Sequence, residues 1–156
     1  MASALDIGVT AWTPLASGWL TGKYARPEEP DRARAEPRRL DDATAAPFVR
    51  RDERAISIVD EVARVARELE CQPAHVALNW LRRRGVIPFF GARTAEQTRE
   101  NLRCLEVSLL DEHMRSLDRV GAISLGYPHD FLASDLVRQH MFGGRFAEID
   151  DHRGHS

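Results

Sequence analysis

The stretch VIPFFGARTAEQTRENL, residues 86–102, decides the predicted fold of this chain. Residues 86–90 form a short apolar run, which is typical of a buried strand in a parallel sheet. Gly91 permits a tight turn and the close approach of another backbone or a ligand. Thr94 and Gln97 have the spacing of a capping box, in which both side chains satisfy N–H groups of a helix's first turn. The stretch therefore predicts a strand, a glycine turn and a capped helix.

This geometry favours phosphate binding. A helix that begins directly after a strand directs free N–H groups and the positive end of its dipole at one spot. Arg93 stands at that spot with a planar, bidentate donor group that matches phosphate. A helix starting at Thr94 also brings Gln97, Glu100 and Asn101 to one side. Many α/β proteins have the same turn without a ligand, so a purely structural role stays open.

The segment GARTAEQTRENL, residues 91–102, resembles the stretch after the last barrel strand of aldo-keto reductases. In that family the stretch holds the adenosine 2′-phosphate and the adenine of NADPH. The resemblance implies that Gly91 and Arg93 contact the phosphate region. It also implies that Gln97, Glu100 and Asn101 lie toward the adenosine. Because Arg93 and Gln97 fit a 2′-phosphate, the predicted cofactor is NADPH rather than NADH.

A second motif lies near the N-terminus. Residues 7–12 are β-branched and apolar and predict a short strand, and Pro14, Gly18 and Gly22 then predict a loop. A surface loop anchored by Trp19 and Leu20 is one interpretation. The segment WTPLASGWLTGKY also resembles the aldo-keto reductase segment that leaves the seventh barrel strand and wraps the cofactor pyrophosphate. The matching positions are Trp12, Thr13, Pro14, Leu15, Ala16, Ser17 and Lys23, the lysine being shared with the branch that contains potassium-channel β subunits.

Residues 25–47 are rich in proline, arginine and acidic residues and predict a flexible loop. The resemblance implies that this loop covers the cofactor and clamps it with one arginine. Four arginines are equal candidates, and a solvated charged loop is the alternative for each: Arg32, Arg34, Arg38 and Arg39. Residues 125–156 resemble the C-terminal arm of one reductase branch.

Helical periodicity marks the segments that pack the core. Residues 52–70 predict a helix with one apolar face, formed by Ala55, Ile56, Val59, Val62, Ala63, Ala66 and Leu69. Residues 73–84 predict a second helix, which begins with Pro73 and is closed by Gly85. A further helix is predicted from Asp111 onward.

Composition excludes several classes of function. The formal net charge is −2, from 22 Lys and Arg against 24 Asp and Glu, which argues against a general nucleic-acid binder. Cys71 and Cys104 have no metal-ligand or disulfide spacing, so a reducing, cytoplasmic compartment is predicted. No signal peptide or membrane span is predicted at the N-terminus. His75 and Asn79 are i, i+4 neighbours without a third ligand, and no metal site is predicted.

The resemblance covers nearly the whole chain and implies an α/β fold. Residues 1–156 would form a single partial domain, the C-terminal portion of a (β/α)8 TIM barrel with two parallel strands and about four helices. The family's catalytic Asp, Tyr, Lys and His lie upstream of the matched region, so no catalytic residue is predicted.

Two strands leave unpaired sheet edges, so the predicted partners are NADP(H) and either an N-terminal half chain or a second copy. Three functions stay open. The chain is the NADPH-binding part of a reductase that acts on aldehydes and ketones only when completed, or a non-catalytic NADPH-binding or interaction module, or a non-functional remnant.

Overall fold

A computed structural model of the chain describes residue 2, residues 5–22 and residues 52–150. The chain forms two compact units, residues 1–121 and residues 122–156. The predicted loop at residues 25–47 lies outside the described residues. The same holds for Lys23 and for the four arginines proposed as clamps, Arg32, Arg34, Arg38 and Arg39.

The first unit contains the two predicted strands, β1 (Val9–Trp12) and β2 (Val86–Phe89). They pair in parallel, with Val9 opposite Val86 and Trp12 opposite Phe89. The prediction of two parallel strands is confirmed, although β1 begins two residues later than predicted and β2 ends one residue earlier. Parallel strands need a long crossover connection, which here includes two helices.

One face of this two-stranded sheet is open, which corrects the prediction of a buried strand at residues 86–90. Residues opposite each other in the pair point to the same face, so Trp12 and Phe89 lie together beside Ile87. Their exposed fractions are 78%, 66% and 62%. Within the described residues a helix packs against β2 from the other side, where Val86 and Pro88 are half-buried. The run is apolar as a barrel strand should be, but within the described residues the face that carries Ile87 and Phe89 stays exposed.

The described residues contain six α-helices, two more than the roughly four predicted. The first unit holds α1 (Glu53–Glu68), α2 (Pro73–Arg83), α3 (Ala95–Leu102) and α4 (Asp111–Gly121). The second unit adds α5 (His129–Ala133) and α6 (Asp135–Phe142), in a segment that the sequence defined only by resemblance. Short 3-10 turns occur at Ala16–Thr21, Arg103–Glu106 and Phe146–Glu148. No helix within these ranges is long and apolar enough to cross a membrane.

Helix α1 buries a wider stripe than its periodicity predicted. Val59 and Val62 are buried as expected, but Ile56 is 47% exposed and Val65 is fully buried. The helix packs on two sides, because Val59 meets Trp19 in one cluster while Val62 and Val65 join another. The predicted apolar face therefore lies between the two packed sides of the helix, and Ile56 lies at the exposed edge of that face.

Helix α2 lies at the centre of the first unit. It contacts α1, α3 and β2, and Val76 and Leu78 are fully buried. Pro73 occupies its first turn and Gly85 follows it with a φ of 69°, as the sequence predicted. The main core cluster joins α1, α2, the segment before α4 and α4 itself through Val62, Val65, Ala66, Val76, Leu109 and Leu117.

The second unit is held by aromatic contacts. The rings of Phe142 and Phe146 meet edge-on with centroids 5.2 Å apart. The guanidinium of Arg138 lies 4.8 Å from the centre of the Phe146 ring, a cation–π distance. The rings of Tyr127 and Phe131 lie 5.9 Å apart. These contacts join α6 to the 3-10 turn that follows it and fold the segment onto itself.

Leu78→Ala should lower the free energy of unfolding by about 2–5 kcal/mol, because a fully buried leucine loses its transfer energy and leaves a cavity. Leu105→Ala is the matched control, since Leu105 is 58% exposed and its truncation should cost within about 0.5 kcal/mol. Urea unfolding of the full chain followed by circular dichroism measures both. Equal losses in the two variants would contradict α2 as the centre of the core.

Acid should destabilise the first unit through the carboxylates at the end of α1. Hydrogen bonds from His113 and Arg64 hold the pKa of Glu68 below its ordinary value of 4.5, and a hydrogen bond from Arg64 likewise lowers the pKa of Glu61. A carboxyl group with a lowered folded-state pKa stabilises the fold above pH 4.5, and that contribution is lost as the pH falls through the folded-state pKa.

The urea midpoint should therefore fall as the pH drops below 4.5, and Glu68→Gln should make this fall smaller. Glu70→Gln is the control, because it removes a neighbouring carboxylate and leaves the hydrogen bonds from Arg64 and His113 to Glu68 in place, so the fall below pH 4.5 should persist in this variant. Identical pH profiles for Glu68→Gln and the unmodified chain would refute this assignment.

Candidate cofactor site

The two loops that the sequence singled out leave the sheet side by side. Trp12 pairs with Phe89 at the carboxyl ends of β1 and β2, so the loops begin at Thr13 and Phe90. Neighbouring strands lie about 4.8 Å apart, which brings the start of both loops to one edge. In parallel α/β folds, ligands bind at the carboxyl ends of the strands. The fold thus places both predicted cofactor motifs at the edge where a ligand is expected.

The first loop has an unusual backbone. Thr13, Ala16 and Ser17 have φ values of 56°, 48° and 56°, in the left-handed region that favours glycine. A β-branched residue such as threonine adopts this region rarely. Such conformations cost free energy and are concentrated at ligand-binding and active sites. Three of the six predicted pyrophosphate residues at 12–17 therefore have a backbone conformation that is common at ligand-binding sites.

Two hydrogen-bonded turns and a buried side chain anchor this loop. The N–H of Ala16 donates to the carbonyl of Thr13, and the N–H of Gly18 donates to that of Leu15, both at 2.9 Å. Trp19 is 8% exposed and packs against Val59 of α1. The anchoring by Trp19 and Leu20, which the surface-loop interpretation predicted, is confirmed, because Leu20 packs against the same cluster. An anchored loop can present a fixed backbone to a ligand, so this anchoring agrees with a binding role.

The second loop ends in the predicted capped helix. Thr94 is the N-cap of α3, and its hydroxyl oxygen accepts the N–H of Gln97 at 3.2 Å. The side chain of Gln97 departs from the predicted capping box, because its Oε1 accepts the N–H of Arg93 at 2.9 Å rather than that of Thr94. This bond fixes the backbone of Arg93 at the start of the helix.

Three predicted adenosine residues share one side of α3. Gln97, Glu100 and Asn101 are half-buried, whereas the other residues of the helix are exposed. The Oε2 atom of Glu100 accepts from Arg103 at 3.2 Å. Its Oε1 atom is buried and has no hydrogen-bond partner among the described residues, although Nε2 of His75 lies 3.3 Å away. The helix therefore presents the predicted residues together, and their contact with a ligand stays a prediction.

Two buried histidines close the N-termini of helices, a role that the sequence analysis did not predict for either of them. His75 in α2 is 5% exposed and His113 in α4 is 2% exposed. The Nδ1 atom of His75 accepts the N–H of Gln72, and the Nδ1 atom of His113 accepts the N–H of Leu110. Both histidines stand three residues after the helix N-cap position, where Gln or Glu closes a capping box. That spacing was the available signal, but histidine is an uncommon residue there.

Glu68, Glu112 and His113 form a possible metal-ligand group among the described residues, with ligand atoms within 4.8 Å of one another. Hydrogen bonding accounts for this histidine without a metal. Because Nδ1 of His113 accepts a backbone N–H, its Nε2 carries the proton and faces Oε1 of Glu68 at 3.4 Å. An ion at Nε2 would have to displace that proton.

Asn79, weighed with His75 as a metal-ligand pair, has structural partners in the described chain. Its amide donates to the carbonyl of Val107 and its oxygen accepts from Arg82 at 3.1 Å. Burial raises the pKa of the thiols of Cys71 and Cys104, which keeps both protonated and unreactive.

Comparison with known proteins identifies the family. The sequence model of the aldo/keto reductase family matches residues 1–122, more than half of the chain. The chain belongs to the aldo/keto reductase family. The match ends next to the boundary between the two compact units at residue 121. Members of this family generally use NAD(P)H and have a TIM-barrel fold, with which the parallel pair of β1 and β2 agrees.

The chain is also similar to "Uncharacterized oxidoreductase YrpG" of Bacillus subtilis strain 168. The two are 31% identical over 118 residues, which is 74% of this chain and 32% of that protein. The chain thus spans about a third of the length of this relative. Membership of the branch that contains potassium-channel β subunits stays a prediction.

Thr94→Ala should destabilise the start of α3 by about 1 kcal/mol, because the Gln97 N–H loses its acceptor. Amide hydrogen exchange in α3 should then be about fivefold faster in this variant. Thr98→Ala is the matched control, since its hydroxyl donates to the carbonyl of Thr94 from inside the helix and caps nothing. Slower or unchanged exchange in Thr94→Ala would contradict the cap.

Proposed function

We propose that this chain is the NADPH-binding, C-terminal part of an aldo-keto reductase that reduces aldehydes or ketones when the rest of the barrel completes it. The observation that carries this proposal is the parallel register of β1 and β2, which starts both cofactor motifs at one sheet edge. Membership of the aldo/keto reductase family supports it independently. The two thiols, with their pKa values raised by burial, suit the proposed reducing, cytoplasmic setting.

The residues at the sheet edge fit a dinucleotide. The first loop offers a backbone held in left-handed conformations at Thr13, Ala16 and Ser17, which suits close approach by a pyrophosphate. The second loop offers the N-terminus of α3, with its free N–H groups and positive dipole end, beside Arg93. Bound NADPH would supply the hydride for carbonyl reduction. This chain's residues would bind and orient the phosphates and the adenosine.

The proton donor is expected outside this chain's matched motifs. The family resemblance locates the catalytic tyrosine and its partners upstream of the seventh strand. Tyr127 is 84% exposed and belongs to the second unit, and Tyr24 lies outside the described residues. We therefore assign binding and orientation of the cofactor to this chain, and proton transfer to the completing part.

The open face of the sheet supports completion by further strands. Trp12, Ile87 and Phe89 form an apolar surface on the side away from α2, and each is more than 60% exposed. In a TIM barrel, layers of side chains from all strands fill this interior. We propose that an N-terminal barrel segment supplies the missing strands, with a second copy of the chain as the alternative occupant.

Titration of the full chain with NADPH should quench tryptophan fluorescence in a saturable manner, because Trp12 lies at the start of the first loop. Trp12→Phe should remove most of the quenching. Trp80→Phe should retain it, since the Trp80 ring donates to Asp118 at 2.9 Å, where α2 meets α4. A folded sample that shows no saturable response to NADPH would overturn the proposed function. Family membership would then describe only the evolutionary origin of the chain.

Arg93→Ala should weaken NADPH binding by about 1.5–3 kcal/mol and leave NADH binding nearly unchanged, because only NADPH carries the 2′-phosphate. Arg99→Ala is the matched control. It removes the same charge from within α3, six residues further along the chain, where Arg99 pairs with Glu96 at 3.3 Å on the exposed side. The ratio of the two dissociation constants measures the effect. An unchanged ratio in Arg93→Ala would refute the 2′-phosphate assignment.

The non-catalytic alternative predicts a different result in a complementation assay. Mixing the chain with a separately produced N-terminal barrel segment should restore NADPH-dependent reduction of an aldehyde under our proposal. Tight NADPH binding without turnover in that mixture would favour a binding module over an enzyme part.

A further inference from the structure

A single buried side chain joins α2 to the helix that carries the predicted adenosine residues. The imidazole of His75 makes one hydrogen bond from each ring nitrogen. Nδ1 accepts the N–H of Gln72 at 3.3 Å, at the N-cap of α2. A neutral imidazole that accepts at Nδ1 carries its proton on Nε2. The Nε2–H group of His75 is therefore a donor with a fixed direction.

That donor reaches the end of α3. Nε2 of His75 lies 2.8 Å from the backbone carbonyl oxygen of Glu100. Glu100 is in the last turn of α3, and its carbonyl oxygen also accepts the N–H of the C-cap residue Arg103. The same Nε2 lies 3.3 Å from Oε1 of Glu100, an atom with no hydrogen-bond partner among the described residues. The single Nε2 proton is donated to the carbonyl, so His75 holds the backbone of a predicted adenosine residue and not its carboxylate.

We propose that His75 is a positioning residue for the cofactor site. It holds α3 at Glu100 while Thr94 and Gln97 hold the other end of the helix. The inference rests on the proposed function, because Glu100 is assigned to the adenosine by the family resemblance. The adenosine is common to NADPH and NADH, so loss of this bridge should weaken both cofactors to the same degree.

His113 provides a natural control within the same chain. It occupies the corresponding position in α4, and its Nδ1 atom accepts the N–H of Leu110 at 3.1 Å. Its Nε2 atom faces Glu68 at 3.4 Å, at the end of α1 and not at α3. Both histidines are buried and both cap a helix. Of the two histidines, only His75 hydrogen-bonds to α3. Variants of the two residues therefore distinguish a general stabilising role from positioning of the cofactor helix.

Substitution of His75 by asparagine or by glutamine separates the effects of the two hydrogen bonds that its ring makes. In His75→Asn the amide oxygen can take the place of Nδ1, so the cap to Gln72 is kept, but no donor reaches Glu100. In His75→Gln the longer amide carries a donor to the place of Nε2, and glutamine also suits the capping box. His113→Asn is the matched control, because it removes only the contact with Glu68.

The experiment measures NADPH and NADH dissociation constants and α3 hydrogen exchange for the full chain and these three variants. His75→Asn should weaken both cofactors about fivefold to tenfold, leave the NADPH/NADH ratio unchanged, and speed exchange in α3. His75→Gln should restore both affinities and the exchange rate. His113→Asn should leave cofactor affinity and α3 exchange unchanged.

Two results would overturn the inference. The first is cofactor affinity in His75→Asn equal to that of the unmodified chain, and the second is an equal loss of affinity in His113→Asn. An unmodified chain that binds neither cofactor would instead overturn the proposed function. In that case the α3 exchange rates still decide whether His75 holds the helix, because they need no ligand.

Discussion

The parallel pairing of β1 with β2 is the constraint on which the candidate site depends. Two segments separated by more than seventy residues in the sequence become neighbours because Trp12 lies opposite Phe89. Because the two strands are parallel, the chain leaves both of them at the same edge of the sheet. A shift of the register would move one loop along the other and would turn the alternate side chains of one strand to the opposite face. The position of the site thus follows from backbone hydrogen bonds, before any side chain of the site is considered.

Helix α2 maintains that pairing from one side. It follows α1, leads directly into β2 through Gly85, and contacts the sheet, α1 and α3. Its core residues Val76 and Leu78 are fully buried, and His75 and Asn79 beside them are 5% exposed. Buried polar groups are normally hydrogen-bonded. Here their partners lie in different elements of the fold. His75 reaches α3, and Asn79 reaches the segment that precedes α4. The polar side chains of α2 therefore fix the positions of the neighbouring elements, while its apolar side chains stabilise the fold.

The sequence predicted the elements well and their contacts only in part. Short apolar runs, glycine turns and the Thr94 cap each depend on a few adjacent residues, so β1, β2 and α3 were found close to their observed limits. Val65 was missed because a single periodic stripe cannot anticipate that α1 packs on two sides. His75 was seen only as a poor metal ligand, because its partner Glu100 lies twenty-five residues away. Contacts of that kind follow from the fold and not from local spacing.

The open face of the sheet connects the stability of the chain with its function. Exposure of Trp12, Ile87 and Phe89 to water is unfavourable. Burial of these side chains in a barrel interior would stabilise the chain by roughly 25 cal/mol for each Å² of apolar surface covered. The cofactor edge belongs to the same two strands, so whatever covers this face also borders the site. Completion of the barrel would then stabilise the register of β1 and β2 and bring the missing catalytic groups to the cofactor in one step. Under the proposed function, the apolar surface that is unfavourable in water would favour association next to the edge that binds the cofactor.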